Sequence, residues 1–394
     1  LGWIPRIVVP IARSLRKNGV PVDVADFALG PPIRSRAIRQ FKWIPRPDLA
    51  RAQFVEQLTR FIREGGHDML IPTDDQTLTA MMEHYDDFKD LLHIACPPPH
   101  IVRLVLDKTL TLDIARTCGI RVPKGHVIRN SAEMSELVDT FPFPWVIKPA
   151  EKETRIEETK SFTVATAQEI ALRFPVAREF VPPMLLQEYC AGVGVGVEML
   201  MHGGNCLAVF QHRRLKELPY TGGVSVTAIA ERPHPALVES SMTLLRALRW
   251  QGVAMVEYKV ADGCEPVLME VNGRYWGTIS LPISAGMDFP LYHWQVIHGE
   301  QPEIPCAYAA GTKWRWTVGY FLRLYSLLVR ARNTPEARQA LSDTLPDVPR
   351  DFSPKVFDAT FDLADPAPTL VGFFHAVKYV FSYSVGRLTK RKTS

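Results

Sequence analysis

The sequence predicts a mixed α/β and α+β protein in three successive parts: an open α/β domain over residues 1–103, a strand-rich domain over 104–300 and a mainly helical extension over 301–394. Three observations predict it. Helical patterns alternate with short strands through the first part. The middle carries short buried strands, an alternating segment at 195–201 and a hairpin at 253–271, and the last part spaces its apolar residues as helices do. With 394 residues, 46% of them hydrophobic, the chain can bury two or three cores.

Residues 11–17 read as a helix closing at Asn18-Gly19, before a strand at 22–25, and further strands fall near 69–72 and 93–95. The chain begins at Leu1 without an initiating Met, and truncation is expected. Thr73-Asp74-Asp75 follows a buried strand, where α/β proteins often put binding groups; an N-cap for a helix over 76–84 suits it as well. Asp107-Lys108 opens a helical pattern through Leu110, Ile114 and Ala115. That pattern stops at Cys118-Gly119 before the extended Ile120-Arg121-Val122-Pro123. Lys108 is at least a helix-start lysine.

Residues 144–149 form a short buried strand ending in Lys148-Pro149, and a compact ammonium there suits a phosphate, or caps an edge. The loop after it, 150–160, is charged. Gly192-Val193-Gly194-Val195-Gly196 invites a dinucleotide reading, but that fingerprint must open a helix and residues 195–201 alternate like a strand. Arg213, Arg214 and Lys216 then precede a flexible pair, Gly222-Gly223, which permits close backbone approach to an anion; a basic strand edge that blocks sheet pairing is the alternative.

Residues 253–260 and 266–271 are apolar-rich runs separated by Ala261, Asp262, Gly263, Cys264 and Glu265, which is turn chemistry. Alternation places Glu270 with Leu268 and Asn272 on one face, and Glu257 with Met255 and Lys259. If the strands pair, Glu257 and Glu270 converge beside the Asn272 amide as an all-oxygen site of the kind Mg²⁺ accepts, with Arg274 close behind. An amphipathic hairpin whose acids face water is the simpler alternative.

Taken in order, these segments resemble the ATP-grasp superfamily across roughly residues 104–290. The resemblance implies a two-lobed ATP-grasp fold with its lid lobe at about 113–190, a preceding Rossmann-like α/β domain, and Mg·ATP as cofactor with Mn²⁺ as a substitute for Mg²⁺. It makes Lys108 and Lys148 the two ATP lysines and residues 185–192 the hinge against which adenine lies. There, backbone groups of Glu188 and Cys190 read the adenine edge, and Gln187 stands where many relatives carry Glu while keeping a carbonyl acceptor. Leu268 joins the nucleotide-binding set. Gly194 falls where several relatives have a ribose-binding acid, with Glu198 as a substitute or a phosphate-side group. Lys216 is implied to neutralise the γ-phosphate, Arg213 or Arg214 to hold a substrate carboxylate, and Gly222 and Gly223 to border the substrate. Glu257, Glu270 and Asn272 hold magnesium, and Arg274 contacts the transferred phosphoryl group or the acyl phosphate. The implied reaction joins a small-molecule carboxylate to an amine through an acyl phosphate. A carboxylase or other acyl-phosphate former is the nearest alternative; a nucleotide sensor without turnover is the more distant one, and Arg274 counts against it.

Net charge of +4 argues against a nucleic-acid binder that relies on a dominant phosphate-neutralising surface. Six scattered cysteines without a C-x-x-C pair favour free thiols in a reducing, cytoplasmic setting over disulfides or a zinc site. No 20-residue apolar span occurs in the sequence. Residues 314–332 read as an aromatic and basic helix, 333–368 as a Pro-rich connection and 371–388 as a last helix. That helix has a broad apolar face and a basic end at Arg387, Lys390, Arg391 and Lys392. It can lie on an anionic bilayer, giving peripheral membrane contact, or dock on the core.

Overall fold

The computed structural model describes residues 1–27, 32–152, 162–173 and 179–377. Its first helix, Pro5–Lys17, starts on a proline whose fixed φ suits the first turn, and it sends Ile7, Ile11 and Leu15 into the largest core. Two parallel strand pairs follow: β1 (Val22–Asp26) with β2 (Ile38–Trp43), and β3 (Met69–Leu70) with β4 (His93–Ile94). Leu1 and Gly2 lie between them, the Leu1 ammonium donating to Ile71 O at 2.8 Å and Gly2 N–H to Ala25 O at 3.0 Å. β2 is a strand the sequence does not announce, because Ile-Arg-Gln-Phe-Lys-Trp lacks a buried face. The helix Asp75–Glu83 is capped by Asp74, which accepts from Thr77 N–H at 2.9 Å. Asp74 is thus a cap, while Asp75 points elsewhere.

After the helix Lys108–Thr117, capped by Asp107, comes a smaller lobe. Its four-stranded antiparallel sheet is built from β5 (Gly125–Asn130), β6 (Trp145–Pro149), β7 (Phe162–Val164) and β8 (Glu179–Glu188), in the order β5-β8-β6-β7. Ile128, Trp145, Ile147 and Leu186 fill its core. The larger sheet holds β9 (Val193–His202), β10 (Asn205–Leu218), β11 (Val224–Glu231), β12 (Gly252–Val260), β13 (Val267–Asn272), β14 (Lys313–Arg315) and β15 (Val356–Asp358), in the order β13-β12-β9-β10-β11-β14-β15. Period-two alternation separates its two faces. Val195, Val197 and Met199 pack on the helices Pro99–Leu106 and Pro235–Ala247, while Leu200, Phe210 and Met255 pack under Pro5–Lys17 and Trp276.

The C-terminal part departs from the helical expectation. Residues 313–315 form β14, which pairs with β11, and the helix begins only at Thr317 and runs to Arg330. The open sheet edge overrides the helical spacing: Trp314 is 1% exposed there and its Nε1–H donates to Ser280 Oγ at 2.7 Å. Full burial of such a side chain contributes about 1.5–3 kcal/mol, which decides a three-residue segment. The expected loose connection over 333–368 holds a helix, Pro335–Thr344, and β15. Residues 367–377 are helical, and Phe373 packs on Phe321 with ring centroids 5.5 Å apart, so this portion docks on the core. The expected basic end of that helix and the charged loop over 153–160 lie outside the described residues. No described helix is long and apolar enough to cross a membrane.

Candidate active site

β12 and β13 pair with Glu257 directly opposite Glu270 and Met255 opposite Asn272. Opposed residues in an antiparallel pair have Cβ atoms about 4.5–5.5 Å apart, so the two carboxylates converge. A register shift between Glu257 and Tyr258 brings them together and, against the expected alternation, sends Leu268 to the helix-side core with Val271. Asn272 Nδ2 donates to Glu270 Oε1 at 3.2 Å, which turns the amide nitrogen toward the acid and its oxygen toward Lys152. Three ammonium groups close over this pair. Lys108 donates to Pro149 O at 2.8 Å, Lys148 stands at the end of β6, and Lys152 donates to Val271 O and, at 3.3 Å, to Asn272 Oδ1. Burial alone would push Glu270 up, but Lys152, Lys148, Lys108 and Arg274 more than offset it and hold the carboxyl well below its ordinary range. Burial, opposed by Arg214 and reinforced by Glu270, raises Glu257 instead. Lys108 is pushed down to about 8, chiefly by burial.

Among the described residues no three His, Cys, Asp or Glu side chains are grouped to hold a metal. The candidate donor set is therefore two carboxylates and one amide oxygen, all hard ligands. Its partners are not all idle: Arg214 Nη2 bonds to Glu257 Oε2, and Arg214 Nη1 to Glu217 at 3.1 Å and Gly223 O at 3.0 Å. Of the two arginines the sequence left open, Arg214 shares the site face, while Arg213 turns to the other face and pairs with Glu231 at 2.5 Å. Gly222 takes a positive φ of 121° in the turn that presents Gly223.

Arg274 is held across the cleft, its Nε and Nη2 donating to the two oxygens of Asp75 at 3.1 and 2.8 Å. This bidentate pair joins the hairpin to the N-terminal part.

Lys216 is a correction. It lies on β10, but its ammonium is taken by Asp347 and Asp351, both at 2.8 Å, from the C-terminal segment. A bulged register between Arg214 and Lys216 turns it away from the hairpin. Lys152 stands in the cluster instead. Leu268 and Glu198 are expected on the nucleotide side. Both are 0% exposed, and each packs against groups of the protein. Leu268 belongs to the helix-side core, and Glu198 Oε1 is hydrogen-bonded to His212 Nδ1 at 2.5 Å. A Cβ at Gly196 would come within 2.6 Å of His212 Cε1, and one at Gly194 within 2.8 Å of Arg214 Cδ. The alternating glycines thus clear β9 so that two side chains of β10 can lie across it.

Where the hinge is expected, Gln187 is 1% exposed with both amide atoms unpartnered among the described residues. Glu188 corrects a detail: its backbone N–H donates to Lys124 O at 2.9 Å, so only its carbonyl remains for a base edge. Cys190 sits next to that carbonyl, its thiol 3.9 Å away.

Lys152 and His212 are the residues that sequence reasoning passed over. Lys152 is the second residue of a charged run that reads as a solvated loop, and its only signal is proximity to Lys148. His212 sits among arginines and carries no spacing signal.

Lysines of one lobe stand over a two-carboxylate hairpin of the other, and within this arrangement residues 180–318 match the family model described as ATP-grasp in the biosynthetic pathway with Ter operon. The chain is 24% identical over 185 residues to D-alanine–D-alanine ligase of Verminephrobacter eiseniae, covering 43% of this chain and 54% of that one. It thus spans about half the length of that relative. Among solved structures it is similar to biotin carboxylase from Campylobacter jejuni, with a TM-score of 0.61 at 12% identity over 78% of this chain and 72% of that one. It is also similar to L-amino acid ligase from Bacillus licheniformis, with a TM-score of 0.55 at 17% identity over 74% and 71%. These two likenesses are of fold.

Proposed function

We propose that the protein is an ATP-dependent, magnesium-using ligase that activates a small-molecule carboxylate as an acyl phosphate and passes the acyl group to an amine. The observation that carries this reading is the opposed Glu257–Glu270 pair beside Asn272, faced by Lys108, Lys148 and Lys152. Such a grouping has the donors for a hard cation and the positive charge for a polyphosphate. Gln187, buried with its amide unpaired, fits an adenine edge. Bound magnesium would neutralise charge on the phosphoryl oxygens.

The chain's own residues supply position and charge, which is most of what phosphoryl transfer needs. Lys108 and Lys148 hold the phosphates, and Arg274, aimed by Asp75, meets the transferred group. A carboxylate oxygen attacks the γ-phosphorus and ADP leaves; the amine then attacks the acyl carbon, phosphate leaves, and the amine gives up a proton. The test is ADP release over a panel of carboxylic acids with and without amines, using ¹⁸O-labelled acid. Release that needs both partners, with label in phosphate, is expected. Release with acid alone selects another acyl-phosphate former, and turnover without label transfer removes the mechanism.

Two further results are expected. ATP should bind more tightly than GTP by about tenfold or more, since guanine would leave buried polar groups unpaired at about 1–3 kcal/mol each. Equal affinities in a titration would defeat the hinge assignment.

The second concerns pH. The folded Lys108 value, about 8, lies below the unfolded value, so its buried charge costs stability fully below pH 8 and that cost fades as pH rises. Phosphates favour the charged form, so Mg·ATP affinity should fall above pH 8, by at most about tenfold per pH unit for one proton. Calorimetry in buffers of different ionisation heat should show proton uptake on binding at pH 9 and little at pH 7, and Lys108→Met should abolish the uptake.

A further inference from the structure

Arg6 differs from most of its neighbouring cations. Lys108, Lys152, Arg214, Lys216 and Arg274 all bond to carbonyls or carboxylates. Arg6 makes no hydrogen bond or ion pair among the described residues, and its Nε is buried without a partner. It is nevertheless held firmly. Its guanidinium carbon lies 4.2 Å from the centroid of the Trp316 ring, and its Nε borders Gly277, where a Cβ would come within 2.9 Å. Arg274 and Arg214 both act on it electrostatically, so the guanidinium lies near the arginine assigned to the reacting group. Burial, with Arg274 and Arg214 adding to it, depresses Arg6 to about 10, which leaves it cationic at neutral pH. A stacked, planar cation among like charges, with no acid to answer it, is arranged for an incoming oxyanion, and its fork of N–H groups matches a carboxylate.

We propose that Arg6, seated on Trp316, is the anchor for a carboxylate of the small-molecule substrate. The proposal rests on the ligase reading and narrows its substrate class to one that presents a carboxylate at the start of the Pro5–Lys17 helix. Phosphate shares this chemistry, so the test separates the two.

The full chain, with and without a saturating non-hydrolysable Mg·ATP analogue, is titrated with ¹³C-labelled acetate as the minimal carboxylate, with chloride at equal ionic strength as the control. Saturable acetate binding is expected in the parent protein and should weaken about tenfold or more in Arg6→Gln, with Arg6→Lys intermediate. Gly277→Ala, which displaces the guanidinium without altering charge, should weaken acetate too, and it carries the test if Arg6→Gln melts at the assay temperature. Analogue affinity should change less than about twofold throughout, as expected for a group outside the nucleotide's contacts. Acetate binding equal in parent and variants, or absent from the parent, would overturn the proposal. So would a parallel loss of analogue affinity, which would assign Arg6 to phosphate. If the analogue does not bind the parent while acetate binds through Arg6, the subsite stands and the ATP-dependent reading falls.

Discussion

Replacing Glu270 by Gln is expected to lower turnover by about 10²–10³-fold, the usual loss when electrostatic help to a developing charge is removed. The substitution keeps the shape and removes the one carboxylate held deprotonated by all three lysines of the cluster and Arg274. Nucleotide should still bind, because Lys108, Lys148 and Lys152 remain and are freed from an acidic partner. Mg²⁺ dependence should shift to higher concentration. Steady-state rates against Mg²⁺, beside equilibrium binding of an ATP analogue, check both halves. Full activity in this variant would remove the proposed metal site.

Arg274→Ala should act on two levels. Its guanidinium forms a bidentate pair with Asp75, and the two side chains are only 16% and 25% exposed. Losing hydrogen bonds to a charged group of that burial costs about 1.5–3 kcal/mol, so the melting temperature should fall. ATP affinity should be spared, while ¹⁸O transfer from labelled acid to phosphate should nearly vanish, because the proposed partner of Arg274 is the reacting group and not ground-state nucleotide. Asp75→Asn separates the effects. It should lower stability similarly yet leave much of the label transfer, since it loosens the arginine without removing it. Undiminished label transfer in Arg274→Ala would end the catalytic assignment.

The hairpin was legible because it is local. A turn-forming pentapeptide between two apolar runs marks the two strands, but strict alternation from Tyr258–Leu268 would oppose Glu257 to Met269; a register shift between Glu257 and Tyr258, which the sequence does not announce, brings Glu270 opposite Glu257. The helix start at Asp107-Lys108 and the strand end at Lys148 were legible for the same reason: caps and buried strands are written in a few adjacent residues. Lys216 shows where that reading stops. Its type and place on β10 fit a phosphate ligand, but a bulge and two acids more than 130 residues away decide its partner. β14 is a similar case, since Trp314 sits in a helical pattern and only the edge of β11 turns it into a strand.

The sequence by itself determined the alternation of elements, the hairpin that carries the two acids and the lysine-ended strand, because each depends on backbone geometry acting over a few residues, whereas the register shift that opposes Glu257 to Glu270 belongs to the folded hairpin. Only the tertiary structure decided which charges meet. It brought Asp75 to Arg274, laid His212 and Arg214 over the glycines of β9, gave Lys152 to the cluster and Lys216 to the C-terminal segment, and left Arg6 stacked on Trp316 without an acid. The reason is physical: a long charged side chain has no periodic signature, and its partner is chosen by whatever distant segment shares its burial once the sheets have packed.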